Sequence, residues 1–418
     1  MKISTCLIAK NEAVNIGRCL ESIKSISDEI IVVDTGSTDN TVEIAKSFGA
    51  RVYFYEWDNN FSNAKNYALD KSTGDWIIFI DADEYFDANT PKNLLQVLKH
   101  FNDNKKYDSI LFKMYNTEGY NGKIISINPI VRAFRGHNKI RFSGAVHEQP
   151  LNKNNTLYAA NITDYSLVIY HTGYSSSILP DKVKRNLEML KAGIADNNIT
   201  SLTYYYMSSI YNNLNNSEET IKYALLALKE PEFAKTIMAY QPYVFLIDHM
   251  VKLQDKYMFE EIEKYIEEAI SRFPTHPEIW YIIGNAREAQ GDYHVAIESY
   301  RKALEYNKNF NLPLNNNFPA RLEAVYYNLG ELLKKTGEHL QSLDYYFEAL
   351  KINKYNFYTM KGLYDLIKDQ APAEIVLFLG SIYNKEKKDD LVFLSTAMAK
   401  LGNNLLANYY YEAYNKVK

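Results

Sequence analysis

Acidic and polar residues follow several short apolar runs in the first part of the chain, at points where strands are expected to end. They are Asn11 and Glu12, Asp34, Asp58, and the pair Asp81 and Asp83. One such residue is usually a turn or capping residue, but several at the carboxyl edge of one sheet indicate a ligand site. Asp81 and Asp83 stand two positions apart after a buried run, so their carboxylates can hold a hard divalent cation, which prefers oxygen ligands.

The elements that position these residues alternate between strand and helix. Apolar runs predict strands at residues 3–8, 29–33, 52–55 and 76–80. Helical spacing follows each of them, and Pro91 at a first-turn position indicates a helix that ends at Phe101. This alternation predicts an α/β domain with a mostly parallel, Rossmann-like sheet. Further strands are predicted at residues 107–115, 124–135 and 166–170 with less helix between them, so the sheet is expected to end in a mixed or antiparallel region.

The chain changes character near Pro180, after which only helices are predicted. One set of small and aromatic residues has the spacing of a tetratricopeptide unit, and this spacing recurs 46 residues later, from Gly284 to Gly330. The two sets are Trp280, Ile283, Gly284, Ala296, Tyr300 and Ala303, and then Tyr326, Leu329, Gly330, Tyr346 and Ala349. Weaker copies precede them. We therefore predict two domains: residues 1–178, and an all-α tetratricopeptide-like helical-repeat region at residues 179–418.

Composition excludes several classes of protein. The net charge is −4 with both signs interspersed, so no basic patch indicates a nucleic-acid partner. The chain begins with a short strand and not a signal peptide, and no stretch approaches the roughly 18 apolar residues of a membrane span. Cys6 and Cys19 form no disulfide or metal pattern, which fits a reducing compartment. We expect a cytoplasmic protein without a membrane span.

Three motifs, Cys6–Glu12, Ile31–Thr41 and Phe79–Glu84, resemble those of the family 2 glycosyltransferases with the GT-A fold, in the same order and at typical separations. The resemblance covers roughly residues 1–175. It implies a nucleotide-sugar site, with Asp34 near the base and Asp81 near the ribose or sugar. The residues expected to bind the nucleotide sugar are Ala9, Asn11, Glu12, Asp34, Lys65, Asp81 and Ala82. Asp83 would bind Mn²⁺ or Mg²⁺, which neutralises charge on the leaving diphosphate.

Four further segments resemble a bacterial subgroup that includes the sublancin-type bacteriocin S-glycosyltransferases, which glucosylate cysteine in precursor peptides. They are Trp57–Asn66, Arg132–Arg135, Phe142–Pro150 and His171–Tyr174. Where that subgroup commonly has arginine, Lys65 can still donate to a uracil or a phosphate, but without a planar fork. His171 ends an apolar strand and could complete the metal shell beside Asp83, and manganese accepts mixed carboxylate and imidazole ligands more readily than magnesium. Glu148 is expected to act as general base or to position the acceptor, with His147 beside it as a second catalytic candidate.

These observations predict a metal-dependent glycosyltransferase that moves a sugar, with glucose favoured, from a UDP-sugar to a peptide side chain. The family resemblance implies that the reaction inverts the anomeric centre. Cysteine of a bacteriocin precursor is the preferred acceptor and serine the next. The repeat region would bind the acceptor peptide or form a homodimer interface. Two alternatives stay open: a transferase acting on a cell-surface polysaccharide or a lipid-linked acceptor, and an interaction protein whose transferase domain is inactive.

The basic run Lys182–Arg185 is either a solvated helix start or a lid over the diphosphate.

Overall fold

The computed structural model describes residues 1–102, 107–120, 122–136, 140–144, 148–152, 159–160, 166–173, 179–195, 202–310 and 315–417. The chain divides into two compact units. The first comprises Met1–Leu246 with Asn311–Asn317, and the second comprises Ile247–Phe310 with Phe318–Lys418. The predicted domain boundary after residue 178 stays a prediction, and the first compact unit continues past it to Leu246.

The first unit contains a mixed sheet that is parallel on one side. Its described strands are β1 (Ile3–Ala9), β2 (Glu29–Asp34), β3 (Arg51–Phe54), β4 (Trp76–Phe79), β5 (Glu84–Phe86), β6 (Ser109–Thr117), β7 (Ile124–Arg135), β8 (Arg141–Ser143), β9 (Gln149–Leu151), β10 (Ala159–Ala160) and β11 (Val168–His171). The order is β3-β2-β1-β4-β7-β6-β11-β5, with β10 beside β6, while β8 and β9 form a separate pair. Strands β1 to β4 are mutually parallel, whereas β7 runs antiparallel to both β4 and β6. The predicted mixed region is therefore confirmed.

Helices cover both faces of this sheet. Those that begin in the first unit are α1 (Ile16–Ile23), α2 (Thr41–Ser47), α3 (Phe61–Asp70), α4 (Thr90–Phe101), α5 (Leu179–Ala195), α6 (Thr203–Asn213), α7 (Ser217–Lys229), α8 (Pro231–Ala234) and α9 (Tyr240–Lys252), besides 3₁₀ turns at Lys24–Ile26 and Ile237–Ala239. In β1, Leu7 packs into the core that includes residues of α1 and α4, while the adjacent Cys6 packs with residues of α3. Strand β4, which is buried on both faces, is continuously apolar, as the sequence predicted.

The connection between β4 and β5 places the two aspartates of the Asp-x-Asp motif. Strand β4 lies in the middle of the sheet and β5 at its edge, and residues 80–83 connect the carboxyl end of β4 to β5. Within this connection, the Asp81 amide donates to the Glu84 carboxylate. The Asp83 carbonyl accepts from the amide of Thr172, which follows β11. The motif thus meets side chains of several strands that are distant in sequence.

The second unit is entirely helical among its described residues. Its helices are the end of α9, then α10 (Phe259–Arg272), α11 (Pro277–Ala289), α12 (Tyr293–Lys308), α13 (Leu322–Lys335), α14 (His339–Ile352), α15 (Phe357–Ile367), α16 (Pro372–Leu379), α17 (Lys388–Lys400) and α18 (Asn404–Lys416), with a 3₁₀ turn at Phe318–Arg321. The helices pack as consecutive pairs, such as α11 with α12 and α13 with α14. The predicted architecture, a GT-A-type α/β domain followed by helical repeats, is confirmed. None of the described helices is both long and apolar enough to cross a bilayer.

Close helix pairing in the repeats depends on glycines opposite buried tyrosines. A Cβ added at Gly330 would lie 2.7 Å from the ring of Tyr346, which is fully buried, and one at Gly284 would lie 2.5 Å from the ring of Tyr300. These are the small and aromatic positions that predicted the repeats. A methyl group at either glycine forces the helices apart or the ring out of its pocket.

Gly330→Ala is therefore expected to destabilise the chain by about 1–3 kcal/mol, the usual cost of overpacking, despite the better helix propensity of alanine. Urea unfolding followed by far-ultraviolet circular dichroism measures the change. Gly17→Ala in α1 is the matched control, because its new methyl group would contact Ile44 at an ordinary 3.6 Å. Equal stability of the two variants would contradict this account of the repeat packing.

Candidate active site

A cleft of about 800 Å³ opens at the carboxyl ends of the central strands. Its walls include eight of the residues that the sequence predicted for a site: Ala9, Glu12, Lys65, Asp81, Ala82, Asp83, Glu148 and His171. Asn11 and Asp34 are not among the lining residues. His147 lies outside the described residues. The sheet topology thus brings most of the predicted side chains to one cavity, although they are spread over more than 160 positions of sequence.

Asp83 and His171 form a pair at the sheet edge. The Nε2 atom of His171 lies 3.4 Å from Oδ2 of Asp83, and the two side chains are 12% and 14% exposed. On the other side of the ring, Nδ1 lies 2.7 Å from Oδ1 of the buried Asn116. The contact with Asn116 therefore fixes the orientation of the imidazole, so that Nε2 faces the Asp83 carboxylate.

The geometry of this pair fits a divalent cation. Two donors that bind one ion at about 2.1–2.2 Å lie about 3.0–3.4 Å apart when they occupy neighbouring coordination positions. The described residues contain no group of three or more His, Cys, Asp or Glu side chains that could hold a metal ion. Asp83 and His171 would thus be two protein ligands, and phosphate oxygens and water would complete the shell, as is usual for cations at phosphate-transfer sites.

A buried network of charges supports the floor of the cleft. Arg132 donates to Asp81 over 2.6 Å and to both carboxylate oxygens of Glu84. The Lys65 ammonium lies 2.9 Å from Asp81 and 2.7 Å from Glu148. Lys65, Arg132 and Glu84 are 3%, 7% and 1% exposed, so these charges are almost entirely removed from water. Such charges persist only when each is paired.

The network favours the charged forms of Asp81 and Lys65, whereas burial raises the pKa of the Glu84 carboxyl. Burial alone would raise the pKa of the Asp81 carboxyl, but Arg132 and Lys65 hold it well below its usual range. Burial also works against the ammonium of Lys65, yet Asp81 and Glu148 keep its pKa above its usual value. Asp81 is therefore an anion whose two oxygens both accept from cations. The predicted contact of Lys65 with a uracil or phosphate stays a prediction, and its ammonium is held here by two carboxylates.

The residues predicted to contact the nucleoside build a turn beside the cleft. Asn11, in a left-handed backbone conformation (φ 57°) that asparagine tolerates, accepts from the Thr38 amide over 2.7 Å. One oxygen of Asp34 accepts from the amides of Gly36 and Ser37, both over 3.0 Å. The other oxygen, Oδ2, is buried and has no hydrogen-bond partner among the described residues. A buried, unsatisfied carboxylate oxygen is costly, and a donor on a bound ligand would satisfy it.

Aromatic and cationic side chains form the mouth of the cleft. Trp57 and Phe61 contact each other edge to face at 4.8 Å, and the Arg185 guanidinium lies 5.2 Å from the centre of the Phe61 ring. Arg185 belongs to α5, and Tyr206 of α6 also lines the cleft. The wall therefore contains residues beyond position 178. Arg185 at this wall agrees with the lid alternative for the basic run, which stays a prediction.

The sequence interpretation did not assign Arg132, Glu84 or Asn116 to a site. Arg132 and Glu84 lie 48 positions apart and meet only because β7 and the 80–84 segment converge. A signal was available: Arg132 interrupts the apolar end of β7, and an ionised residue inside a buried strand needs an acidic partner. Asn116 carried no comparable signal, because a polar residue near the end of a strand is ordinary.

Comparison with known proteins agrees with this arrangement. Residues 4–149 match the family model described as glycosyl transferase family 2. Residues 277–310 and 323–356 each match a tetratricopeptide repeat model. The two repeat matches cover the helix pairs α11–α12 and α13–α14, which are the two central repeats that the sequence predicted.

Curated relatives match less than half of the chain. The chain is 36% identical over 193 residues to the SPbeta prophage-derived glycosyltransferase SunS of Bacillus subtilis, covering 44% of this chain and 43% of that protein. It is 33% identical over 177 residues to an uncharacterized glycosyltransferase of Rickettsia prowazekii, covering 42% and 53%. The matched part thus spans about half the length of these relatives.

One solved structure with a partial likeness is the glucosyl-3-phosphoglycerate synthase of Mycobacterium tuberculosis, in complex with Mn²⁺, UDP and glucosyl-3-phosphoglycerate. It is 27% identical and covers 28% of this chain and 44% of that chain, with a TM-score of 0.24, which is too low to support an inference. The family match, the curated relatives and the sheet topology agree with one another without it. Residues 4–149 form a family 2 glycosyltransferase domain, and tetratricopeptide repeats follow it in the same chain.

Proposed function

We propose that the chain is a metal-dependent, inverting glycosyltransferase that moves a sugar, with glucose favoured, from a UDP-sugar to a cysteine side chain of a peptide. The observation that carries the proposal is the pair of Asp83 and His171, held 3.4 Å apart at the edge of a cleft of about 800 Å³. Cavities of about 300–1,000 Å³ are typical of small-molecule sites. The cleft is therefore large enough for a nucleotide sugar beside the pair.

The charge of the cleft supports a requirement for a cation. Four described lining residues are cationic, Lys10, Lys65, Arg132 and Arg185, and five are acidic, Glu12, Asp81, Asp83, Glu84 and Glu148. Lys65 and Arg132 are already paired with carboxylates. A diphosphate would add further negative charge to a wall with a slight acidic excess. A divalent cation, Mn²⁺ or Mg²⁺, on Asp83 and His171 would offset this charge and stabilise the leaving diphosphate.

The protein side chains would hold the donor in place. Asp34 would lie near the base, which is the position implied for this residue by the family resemblance; because its side chain is 1% exposed and does not line the cleft, a direct contact requires the carboxylate to become accessible. Asp81 would present its remaining lone pairs to the ribose or sugar while Lys65 and Arg132 keep its carboxylate in position. A fixed network of this kind needs little reorganisation during the reaction, which favours catalysis.

Glu148 is the proposed base or acceptor-positioning residue. Its carboxylate lines the cleft and accepts from the buried ammonium of Lys65 over 2.7 Å, so its position is fixed. A cysteine thiol has an unperturbed pKa of about 8.5 and is partly ionised at neutral pH, whereas a serine hydroxyl needs a base throughout its attack. The two acceptors should therefore depend on Glu148 to different degrees.

Glu148→Gln is expected to reduce transfer to a serine peptide by roughly 10²–10⁴-fold and transfer to the matched cysteine peptide by less. Glutamine is the informative replacement, because its amide oxygen can still accept from Lys65 while it has no basicity. The rate of the variant on the cysteine peptide should rise about tenfold per pH unit up to the thiol pKa near 8.5. Initial rates on both peptides between pH 6.5 and 8.5, with Mn²⁺ and UDP-glucose, measure this.

Asp70→Asn serves as the control, since Asp70 is 55% exposed in a surface ion pair. Equal losses on both peptides without recovery at high pH would show that Glu148 is not the base. Transfer by the wild-type chain to a polysaccharide or lipid-linked acceptor, with none to peptides, would overturn the acceptor class. Mn²⁺-stimulated hydrolysis of UDP-glucose separates both outcomes from an inactive transferase domain.

The remaining features stay predictions. The helical repeats are proposed to bind the acceptor peptide or a second copy of the chain, because stacked helix pairs offer extended surfaces. Cytoplasmic location is proposed from the cysteines alone: both are buried as free thiols, which suits a reducing compartment.

A further inference from the structure

Two buried side chains on neighbouring strands, Asn116 and Ser126, lie behind the Asp83–His171 pair. Ser126 of β7 accepts a hydrogen bond from Nδ2 of Asn116 over 2.7 Å, and Oδ1 of Asn116 lies 2.7 Å from Nδ1 of His171. Asn116 is 1% exposed and Ser126 is 6% exposed. The arrangement is therefore closed to water and ends at the ring nitrogen that faces away from Asp83.

The register of the sheet creates this arrangement. Asn116 is the direct partner of Ser126 in the antiparallel pair of β6 and β7, and of His171 in the parallel pair of β6 and β11. Side chains at directly paired positions lie on the same face of a sheet with Cβ atoms about 4.5–5.5 Å apart. Asn116 thus reaches both neighbours from one rigid strand, and no loop conformation is needed to bring them together.

The hydrogen bond decides which nitrogen of His171 carries the proton. Because Oδ1 of Asn116 is an acceptor, the neutral imidazole holds its proton on Nδ1 and directs the Nε2 lone pair towards Oδ2 of Asp83, 3.4 Å away. A proton on Nε2 or a metal ion between the two atoms makes this contact favourable. The hydrogen bond to Asn116 thus orients the imidazole as a metal ligand even without the ion. Hydrogen bonds to the ligands of a metal tune its binding in this way.

We propose that Asn116 is a positioning residue that selects the Nδ1–H tautomer of His171 and thereby sets the affinity of the Asp83–His171 pair for a divalent cation. The inference rests on the proposed metal-dependent function. Loss of a hydrogen-bond partner behind a metal ligand typically weakens metal affinity by about 10–100-fold. Neither the serine nor the asparagine touches the ion in this proposal, so the effect passes entirely through the orientation and protonation of the imidazole.

Two substitutions of Asn116 separate positioning from general damage. Asn116→Leu keeps the branching at Cγ, is larger and removes the acceptor, whereas Asn116→Asp is nearly isosteric and, as a carboxylate, keeps an acceptor for Nδ1–H. Ser109→Ala is the matched control on the same strand, because the Ser109 hydroxyl is buried and has no partner among the described residues. His171→Ala reports the loss of the ligand itself. Urea unfolding confirms that each variant folds.

Mn²⁺ binding to the full chain, with UDP present at a fixed concentration, is measured from the electron paramagnetic resonance signal of free Mn²⁺. We expect Asn116→Leu to raise the Kd by about 10–100-fold and Asn116→Asp and Ser109→Ala to change it by less than about threefold. Long-range ¹H–¹⁵N spectra of ¹⁵N-histidine protein without metal give a second readout. His171 should show the Nδ1–H tautomer in the wild type and in Asn116→Asp, but lose it in Asn116→Leu.

Each other outcome overturns a distinct statement. Wild-type Mn²⁺ affinity in Asn116→Leu together with a loss in His171→Ala overturns the role of Asn116 and leaves the proposed function intact. Unchanged affinity in His171→Ala removes the ligand role of His171 and this inference with it. A loss in Ser109→Ala as large as in Asn116→Leu, or failure of Asn116→Asp to retain the tautomer, shows that packing and not the hydrogen bond is responsible.

Discussion

Asp83→Ala is expected to reduce sugar transfer by roughly 10³-fold or more and to leave the stability of the chain nearly unchanged. The carboxylate is one of two proposed protein ligands of the cation, and a group that stabilises developing charge is commonly worth about 10²–10³-fold or more in rate. Asp83 lies after β4 in the connection to β5 and not in the apolar core, so its side chain supports little packing. Initial rates of transfer with saturating Mn²⁺ and UDP-glucose measure the effect.

Asp70→Ala is the matched control for this variant. This substitution also removes an aspartate carboxylate. Asp70, however, lies at the surface in an exposed pair with Arg141, so activity should be retained. Excess EDTA should abolish wild-type transfer, and added Mn²⁺ should restore it. Full activity of Asp83→Ala, or of the wild type in EDTA, is incompatible with the metal role.

Arg132→Met should give the largest loss of stability, about 3–5 kcal/mol. Methionine approximates the side-chain volume but leaves Glu84, which is 1% exposed, as a buried carboxylate without its guanidinium, and Asp81 loses one of its two cations. Removing one member of a buried ion network is costly because the remaining charge has no compensation. Urea unfolding in a Trp280→Phe background measures this, since the other two tryptophans, Trp57 and Trp76, both lie in the first unit.

The comparison for Arg132→Met is Arg141→Met. Arg141 and Asp70 are 53% and 55% exposed, and exposed ion pairs contribute about 0–1 kcal/mol. The two variants delete the same charge and differ mainly in burial. A loss below about 1 kcal/mol in Arg132→Met would mean that the network contributes little to the stability of the fold.

The sequence predicted most of the architecture because its signals are local. The apolar run before Asp81 and the helix from Thr90 to Phe101 can be recognised from a few neighbouring residues, and both are present. The short strands β5, β8, β9 and β10 were not predicted, because two or three residues carry no periodicity. The division of the chain at Leu246 also depends on long-range contacts, which no local pattern contains.

Prediction of the site had a similar limit. Asp81, Asp83 and His171 were recognised because each follows an apolar strand, and they line one cleft. Their partners were missed, because Arg132 and Asn116 are selected by strand order and register. Pairing of β6 with both β7 and β11 brings Asn116 to His171 across 55 positions of sequence. A single sequence shows which residues are present, but it does not show which of them become neighbours in the folded sheet.

The connection of residues 80–83 has a consequence for how the chain can vary in length. These residues connect β4 to β5 through a tight turn, in which the Glu84 amide donates to the Asp81 carbonyl over 3.0 Å, so this hydrogen bond fixes the length of the segment. One inserted residue would lengthen the segment by up to about 3.3 Å, as much as the 3.4 Å that separates Asp83 from His171. Related chains are therefore expected to keep this segment at constant length and to place insertions and deletions elsewhere, such as in the turn between β6 and β7.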